Sequence, residues 1–304
     1  MKTNVLIIGS GKMAESYVQV IKKFKEFNTI GVYSRNQKKL SEFCEKNKLV
    51  RFSNYKQIKN QNNNIHLIII AVSAPNLITV IKKTQDLSGV RLIEKPLGIS
   101  LREAKFIKKI SSHKKFFLAL NRRTYESTKF AKKQIRKSKI IYIEDHINYE
   151  KMNLLGFNKK NYKNFIFSHS IHLIDYFNIF SAGKIINIEK NKFKVKDKIY
   201  LYCILNFSSG EVGIYTCSYN SKKKWKVLII DKNKKALFQP LENVMIESKK
   251  NIIKFSPINH DKKFKPGIFN IIKNLNFYFK KQKFELVNMK EAYNIMKLIN
   301  DIHF

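Results

Sequence analysis

Short apolar runs alternate with amphipathic stretches along the first 120 residues. Five runs have the length of strands: 5–8, 29–33, 65–72, 90–94 and 116–120. Helical spacing of apolar residues follows over 14–24, 38–46 and 100–110, the last opened by a capping box of Ser100 and Glu103. Because the run over 65–72 is continuous, it indicates a central strand covered on both faces. The alternation predicts an open parallel sheet.

Strands dominate the second half of the chain. They are predicted over 140–147, 185–194, 199–207, 212–219, 225–231 and 243–246. Ser208-Ser209-Gly210 is typical of a hairpin loop, and one helix over 168–180 interrupts the strands. Two helices end the chain, one starting at Pro266 and one capped by Asn288 and Glu291. We therefore expect an α/β fold: a parallel-sheet domain over 1–121, then an α+β domain over 122–304 with a mainly antiparallel open sheet. The last helix is a candidate to pack back on the first domain.

A glycine-rich turn follows the first apolar run directly. Gly9-Ser10-Gly11-Lys12-Met13-Ala14 has the G-x-G-x-x-A spacing of a dinucleotide-binding Rossmann unit. Gly9 allows the tight turn, Gly11 lets a pyrophosphate approach the backbone, and Ala14 lets the helix pack closely on the strand. The helix N-terminus offers N–H groups to the phosphates. The sequence predicts a cofactor site that includes Gly9, Ser10, Gly11, Lys12 and Met13.

Composition limits the setting in which this domain works. The 304 residues are 44% apolar and supply a sizeable core. Three widely spaced cysteines, with no paired-thiol motif, indicate free buried thiols in a reducing compartment. The first apolar run is too short for a secretory segment, and no run approaches a membrane span. We expect a cytoplasmic protein with no membrane partner.

The formal charge of +38 does not by itself indicate a nucleic-acid-binding protein. Seven of the 60 basic residues are arginine, and the lysines are scattered in pairs along the whole chain. Abundant Lys, Ile and Asn indicate an AT-rich coding genome. Codon bias therefore explains the many lysines on solvated faces. We therefore expect no specific nucleic-acid partner, and any DNA binding to be weak and steeply lost with salt. The positive field should still attract anionic ligands such as NADP or a nucleotide sugar.

A second motif, Arg91-Leu92-Ile93-Glu94-Lys95-Pro96-Leu97-Gly98, follows the fifth predicted strand. With the Gly9 turn before it, and Asn121-Arg122-Arg123 and His172-Leu173-Ile174-Asp175 after it, the chain resembles the Gfo/Idh/MocA family of NAD(P)-dependent oxidoreductases over nearly its whole length. The resemblance implies hydride transfer between a nicotinamide and a carbinol or ketone. It also implies a homodimer or homotetramer built on the free face of the second sheet, with Ile214, Tyr215, Cys217 and Tyr219 on or near that face.

The resemblance assigns the catalytic roles to Lys95 and His172. Lys95 ends a predicted parallel strand, where such sheets bind ligands, so it is placed to hold a substrate oxygen and stabilise negative charge on it. His172 matches the family's acid/base histidine. Both are expected to face one cleft. Many relatives carry an aspartate four residues before this histidine, and Ser168 in its place puts that pairing in doubt. His169 and His172 share a helix face, but with no third ligand nearby we expect no metal.

The cofactor is predicted from the end of the second strand. Tyr33-Ser34-Arg35 lacks the acid that binds the ribose 2′-hydroxyl of NAD, and Ser34 and Arg35 suit a 2′-phosphate. NADP(H) is therefore favoured over NAD(H), the alternative being an exposed arginine beside a promiscuous site. The remaining expected cofactor contacts are Ala71, Ser73, Glu94, Lys95 and Pro96. The expected substrate contacts are Lys95, Asn121, Arg122, Ser168 and His172.

These observations favour an oxidoreductase that acts on a small sugar-like or nucleotide-sugar-like molecule. With Trp225 and the stretch Pro240-Leu241-Glu242, the chain resembles enzymes of surface-polysaccharide biosynthesis. This resemblance is an analogy at the level of the fold. Of Arg122 and Arg123, one suits an anionic ligand and the other a tie between the domains. The alternatives are a same-fold reductase of a tetrapyrrole or imine, a catalytically silent NADP-binding regulator, and a nucleic-acid binder argued from charge alone.

Overall fold

The computed structural model describes residues 2–111, 115–137, 139–155, 157, 162–196 and 198–304. The first elements are β1 (Thr3–Ile8), α1 (Lys12–Ile21), β2 (Phe27–Tyr33), α2 (Gln37–Asn47), β3 (Arg51–Phe52), α3 (Tyr55–Asn60), β4 (Leu67–Ile70), α4 (Ala74–Lys83), β5 (Val90–Glu94), α5 (Leu101–Ile110) and β6 (Phe116–Ala119). After a 3₁₀ turn at Asn121–Thr124 come α6 (Glu126–Gln134), β7 (Ile140–Ile147), α7 (Tyr149–Leu154), α8 (Tyr162–Phe180), β8 (Ile185–Val195), β9 (Lys198–Phe207), β10 (Val212–Tyr219), β11 (Lys226–Ile230), β12 (Lys234–Phe238), β13 (Val244–Ser248) and β14 (Ile252–Phe255). The last are α9 (His260–Lys263), α10 (Ile268–Phe279), β15 (Val287–Asn288) and α11 (Met289–His303).

The chain divides into two compact units. The first comprises residues 1–120 and 263–294, and the second comprises 121–262 and 295–304. The first boundary lies one residue from the expected one, but 263–294 belong to the first unit rather than the second. The physical reason is α10, whose apolar side chains share one buried core with those of α1. Residues 289–294 of α11 also belong to the first unit.

The sheet of the first unit has the strand order β15-β6-β5-β4-β1-β2-β3. β1 to β6 are parallel, and β15 joins the edge antiparallel to β6. Without β15 this is the doubly wound dinucleotide-binding order, in which the chain reverses direction across the sheet between β1 and β4. The central strand β4 is apolar throughout because both of its faces are buried. The predicted open parallel sheet is confirmed.

The sheet of the second unit has eight strands in the order β14-β13-β12-β11-β7-β10-β9-β8. All its neighbouring pairs are antiparallel except β7 and β10. The mainly antiparallel sheet is therefore confirmed. The helix α8 packs on one face: a Cβ added at Gly213 would lie 2.8 Å from the Phe177 ring.

The facing of β10 corrects one expectation. Tyr215, Cys217 and Tyr219 are buried on the same side as Gly213, against α8, and do not lie on the free face. Alternation along the strand leaves Ile214 half-buried on the opposite face, where it was expected. Tyr215 fixes which residues of β10 face α8, because its hydroxyl donates a hydrogen bond at 2.7 Å to Asp145, a buried carboxylate of β7.

Several element boundaries also differ from the prediction. The helix α8 begins at Tyr162, six residues before Ser168, and α10 begins at Ile268, after a left-handed Gly267 (φ 79°), rather than at Pro266. The strands β12 and β14 were not predicted, because β12 begins with Lys234 and Lys235 and Lys254 interrupts the apolar residues of β14. Both predicted caps are confirmed: Ser100 Oγ accepts from the Glu103 N–H at 3.2 Å, and Asn288 Oδ1 accepts from the Glu291 N–H at 3.0 Å. Within the described ranges, no helix has the length and apolar character to cross a bilayer.

Candidate active site

The turn after β1 has the geometry that a dinucleotide requires. Gly9 has φ +124°, and a Cβ there would lie 2.3 Å from the carbonyl oxygen of Ala71, which follows β4. Gly11 precedes the first turn of α1, and a Cβ there would meet nothing within 4 Å. The N-cap residue Gly11 has no side chain to cap α1, so the first N–H groups of the helix suit a ligand. The open space and the helix N-terminus together fit a bound pyrophosphate.

The other predicted cofactor residues of the first unit lie at the same edge of its sheet. Ser34 and Arg35 follow β2, Ala71 follows β4, and Lys95 follows β5. These strands run parallel, so their carboxyl ends lie at one edge. Arg35 is exposed and Ser34 is half-buried. Ser73 is exposed at the start of α4, where its Oγ accepts from the Asn76 amide at 2.7 Å.

Glu94 connects β5 to the first helix. Its carboxylate is buried, and Oε1 accepts a hydrogen bond from the Tyr17 hydroxyl of α1 at 2.5 Å. Burial raises the pKa of Glu94, although Tyr17 and the charges of Lys95 and Lys265 partly oppose that rise. The contact fixes the end of β5 against α1. Lys95 then follows half-buried, with a cis peptide bond to Pro96.

The predicted second-unit residues lie on α8 and on the 3₁₀ turn before α6. His172 is 5% exposed on α8, and its ring centroid lies 6.3 Å from that of Trp225. Ser168, one turn earlier, donates from Oγ to the Asn164 carbonyl at 3.3 Å. Asn121 is buried in the 3₁₀ turn. Lys95 lies in the first unit and these residues in the second.

The two adjacent arginines of the 3₁₀ turn have different surroundings. Arg123 forms a bidentate ion pair with the buried Asp175 of α8, with Nε–Oδ2 at 2.6 Å and Nη2–Oδ1 at 2.5 Å. This pair ties two elements of the second unit together. Arg122 instead lies over aromatic rings, 5.3 Å from the Trp225 centroid and 5.9 Å from the Tyr125 centroid.

A pocket of about 280 Å³ opens in the second unit beside the single tryptophan of the chain. We call it the Trp225 pocket. Its lining comes from the 3₁₀ turn, the end of β7, α7, α8 and the loops after β10 and β12. The lining residues are Arg122, His146, Asn148, Lys151, His169, Ser221, Lys222, Lys223, Lys224, Trp225, Pro240, Leu241 and Glu242. Arg122 is the predicted substrate residue among them.

A buried carboxylate behind this pocket was missed by the sequence analysis. Asp145 of β7 is fully buried and accepts hydrogen bonds from the Ser170 hydroxyl at 2.6 Å and the His146 N–H at 2.7 Å. His169 Nε2 lies 3.3 Å from Asp145 Oδ1. Burial alone would raise the pKa of Asp145, but His169 and the hydroxyl donors hold it well below its usual range.

The signal for Asp145 was present in the strand pattern. In β7, the side chains of residues 141, 143, 145 and 147 lie on the buried face of the strand. Asp145 is the charged one among them, and the other three are isoleucines. A charge at an inward position indicates a buried polar partner. Its side-chain partners, on α8 and β10, lie 24 or more residues away and were not identifiable from spacing. Among the described residues, no three His, Cys, Asp or Glu side chains group as a metal site.

Comparison with known proteins agrees with this geometry. Residues 3–121 match the model of an oxidoreductase family with an NAD-binding Rossmann fold. The matched segment holds the Gly9 turn, the Lys95 motif and the doubly wound strands, so the protein is an NAD(P)-dependent dehydrogenase or reductase. Over residues 3–121 the chain matches the Gfo/Idh/MocA oxidoreductases. No curated protein matches its sequence significantly.

Solved structures share the fold of both units at low sequence identity. UDP-N-acetylglucosamine 3-dehydrogenase GnnA from Acidithiobacillus ferrooxidans has 12% identity and a TM-score of 0.78, over 99% of this chain and 97% of that chain. A dehydrogenase from Clostridium difficile has 18% identity and a TM-score of 0.80, over 99% of both chains. An oxidoreductase from Agrobacterium radiobacter, solved with NAD+, L-tartaric acid and magnesium, has 12% identity and a TM-score of 0.78, over 99% and 95%. The similarity shows a common fold over the full length.

Proposed function

We propose that this protein transfers a hydride between NADP(H) and a carbinol or ketone carbon of a sugar-like or nucleotide-sugar-like molecule. The observation that carries the proposal is Lys95, a half-buried ammonium at the same sheet edge as the Gly11 turn. The resemblance in fold to a UDP-N-acetylglucosamine dehydrogenase supports the substrate class. A cytoplasmic location is part of the proposal, supported by three buried free cysteines.

The proposed roles follow from proton and charge balance. The nicotinamide, when bound, accepts a hydride from the carbinol carbon or returns one to the ketone carbon. The substrate hydroxyl must lose a proton as its carbon is oxidised, and regain one in the reverse direction. Lys95 holds that oxygen and stabilises the negative charge that develops on it. His172 accepts the proton in one direction and donates it in the other.

The proposed preference for NADP(H) rests on Ser34 and Arg35. Arg35 is exposed after β2 and carries a charge that pairs with a 2′-phosphate. Ser34 lies half-buried beside it, and its own carbonyl accepts from the Gln37 amide at 2.9 Å. No carboxylate is present at residues 33–37 to bind a 2′-hydroxyl, as an NAD-preferring site has.

The catalytic proposal is tested by two substitutions and a matched control. Lys95→Ala should abolish turnover with NADPH binding nearly intact, and Lys105→Ala, an exposed lysine of α5, should leave both unchanged. His172→Ala should lower the rate about 10²–10⁴-fold, the usual range for a lost general acid or base. Turnover is followed at 340 nm with a panel of sugars, sugar ketones and nucleotide sugars.

Two further results bear on the proposal. The double variant of Lys95 and His172 should be no slower than the slower single variant, because both residues serve one chemical step. Ser168→Asp places a carboxylate one turn before His172 and should change the pH profile of turnover. Full activity in both single variants would overturn the assignment. Cofactor binding without turnover of any panel member would instead favour a silent regulator.

We also propose that the free face of the second sheet forms a homodimer or homotetramer. Tyr142, Ile204, Ile214, Leu228 and Leu237 are half-buried on neighbouring strands, on the face opposite α8. A broad, partly apolar sheet face is typical of an interface between subunits.

A further inference from the structure

The lining of the Trp225 pocket is rich in cationic side chains. Its lining has one arginine and four lysines against one carboxylate, that of Glu242. Lys222 is paired with Glu150 at 2.9 Å. Arg122 and Lys151 lie over the Trp225 ring, at 5.3 and 6.0 Å from its centroid. Aromatic faces hold these cations in place without neutralising their charge.

Arg122 shows this most clearly, because its neighbour serves as an internal comparison. The charge of Arg123 is matched by the bidentate pair with Asp175. Among the described residues, the Arg122 guanidinium by contrast donates a single long hydrogen bond, from Nη1 to the neutral Asn121 Oδ1 at 3.4 Å. Its Nε is buried without a hydrogen-bond partner among the described residues. A guanidinium that has ring contacts, and no carboxylate partner in the described ranges, is suited to receive an external anion.

His146 adds an independent observation on the same wall. Its side chain is 3% exposed, and its Nε2 lies 3.1 Å from Glu144 Oε1. Its Nδ1 is buried and has no partner within the described part of the chain. Buried polar atoms are normally paired, and His146 lines the Trp225 pocket, so its unpaired Nδ1 is a hydrogen-bonding position close to a ligand bound there. Arg122 and His146 therefore leave hydrogen-bonding capacity unused at one place.

We propose that the Trp225 pocket is an anion-binding subsite, in which Arg122, His146 and Lys151 bind a carboxylate or phosphate group of the substrate while Trp225 packs on its apolar part. This inference rests on the proposed function and narrows its substrate to an acidic one: a sugar that carries a carboxylate, or a sugar joined to a phosphate or diphosphate. A neutral sugar would leave the cationic wall unpaired and bind more weakly.

The single tryptophan makes the subsite directly observable. Because Trp225 is the only tryptophan of the chain, its fluorescence reports on this pocket alone. The full-length protein is titrated with D-glucuronate, uridine diphosphate, inorganic phosphate and neutral D-glucose, without cofactor and with NADP+. We expect saturable changes with the anions, at least tenfold tighter than with glucose, and weaker binding at higher salt. Glucuronate and uridine diphosphate distinguish a ring carboxylate from a diphosphate as the recognised group.

Substitutions connect the signal to the proposed residues. Arg122→Gln should weaken anion binding at least tenfold, and Arg122→Lys, which keeps the charge, should weaken it less. Arg102→Gln, an exposed arginine of α5, is the control and should change nothing. Equal binding of glucose and glucuronate, or unchanged anion binding in Arg122→Gln, would overturn the inference.

The same experiments separate this inference from the proposed function. Lys95→Ala should abolish turnover, whereas the Trp225 titration with inorganic phosphate or uridine diphosphate, which lack the reacting sugar hydroxyl, should still depend on Arg122. Turnover of a neutral sugar that does not depend on Arg122 would refute the anionic subsite and leave the oxidoreductase intact. Anion binding at Trp225 in a protein that binds no nicotinamide would refute the proposed oxidoreductase and leave the anionic subsite intact.

Discussion

Two glycines of the turn after β1 give the most decisive test of the cofactor site. Gly11→Ala adds a methyl group where nothing lies within 4 Å, at a backbone conformation that any residue adopts (φ −97°). An alanine before the first turn of a helix costs at most about 1 kcal/mol relative to glycine. The folded protein should therefore tolerate the change. The same methyl group occupies the space proposed for the pyrophosphate, and we expect NADPH binding to weaken at least tenfold, about 1.4 kcal/mol.

Gly9→Ala is the matched comparison, and it should lose cofactor affinity because it strains the folded backbone. Its φ of +124° strains an alanine by about 1–3 kcal/mol. Its Cβ would also lie 2.3 Å from the Ala71 carbonyl oxygen, so the backbone of β1 or β4 must move. Gly9→Ala should therefore lose stability as well as cofactor affinity.

The assay combines urea unfolding with titration of NADPH fluorescence for the two variants and the unmodified protein. The reasoning predicts separate behaviour: lost affinity at nearly unchanged stability for Gly11→Ala, and loss of both for Gly9→Ala. Wild-type affinity in Gly11→Ala would refute the placement of the pyrophosphate. A loss of affinity that only follows a loss of stability would refute it too.

Three further predictions concern specificity, assembly and pH. Arg35→Asp should reverse the preference for NADPH over NADH, measured by titration at matched salt; equal affinities in the unmodified protein would contradict the proposed 2′-phosphate contact. Ile214→Lys should convert the oligomer to monomer in light scattering, and a monomer before substitution would count against the interface. Burial lowers the pKa of His303 from 6.5 to about 4, so the unfolded chain binds the extra proton and stability falls as pH drops through that window. Urea unfolding at pH 7 and pH 5 should differ by about 2 kcal/mol, a slope that His303→Phe should flatten.

Local sequence signals predicted the first unit well because its chemistry is local. The Gly9 turn, the Lys95 motif and the Ser100 cap each depend on residues within a few positions of one another, and the structure contains all three. The parallel sheet followed from continuous apolar runs, since a strand buried on both faces needs no polar alternation.

Long-range packing explains what the sequence analysis missed. The pattern of α10 predicts an amphipathic helix but does not say which core it covers, and it covers that of α1. The carboxylate of Asp145 meets residues of α8 and β10 that are 25 and 70 positions away. The different roles of Arg122 and Arg123 depend on Asp175 and Trp225, which only folding brings to them.

In the proposed reaction this protein moves a hydride between a nicotinamide and an acidic sugar. The most direct measurement incubates the full-length protein with NADPH that carries deuterium at both C4 positions and with keto forms of acidic and neutral sugars, and weighs the products. The account predicts one deuterium per product molecule, more from acidic than from neutral ketones, and none with Lys95→Ala. Bound NADPH with no deuterium transferred to any ketone would contradict it.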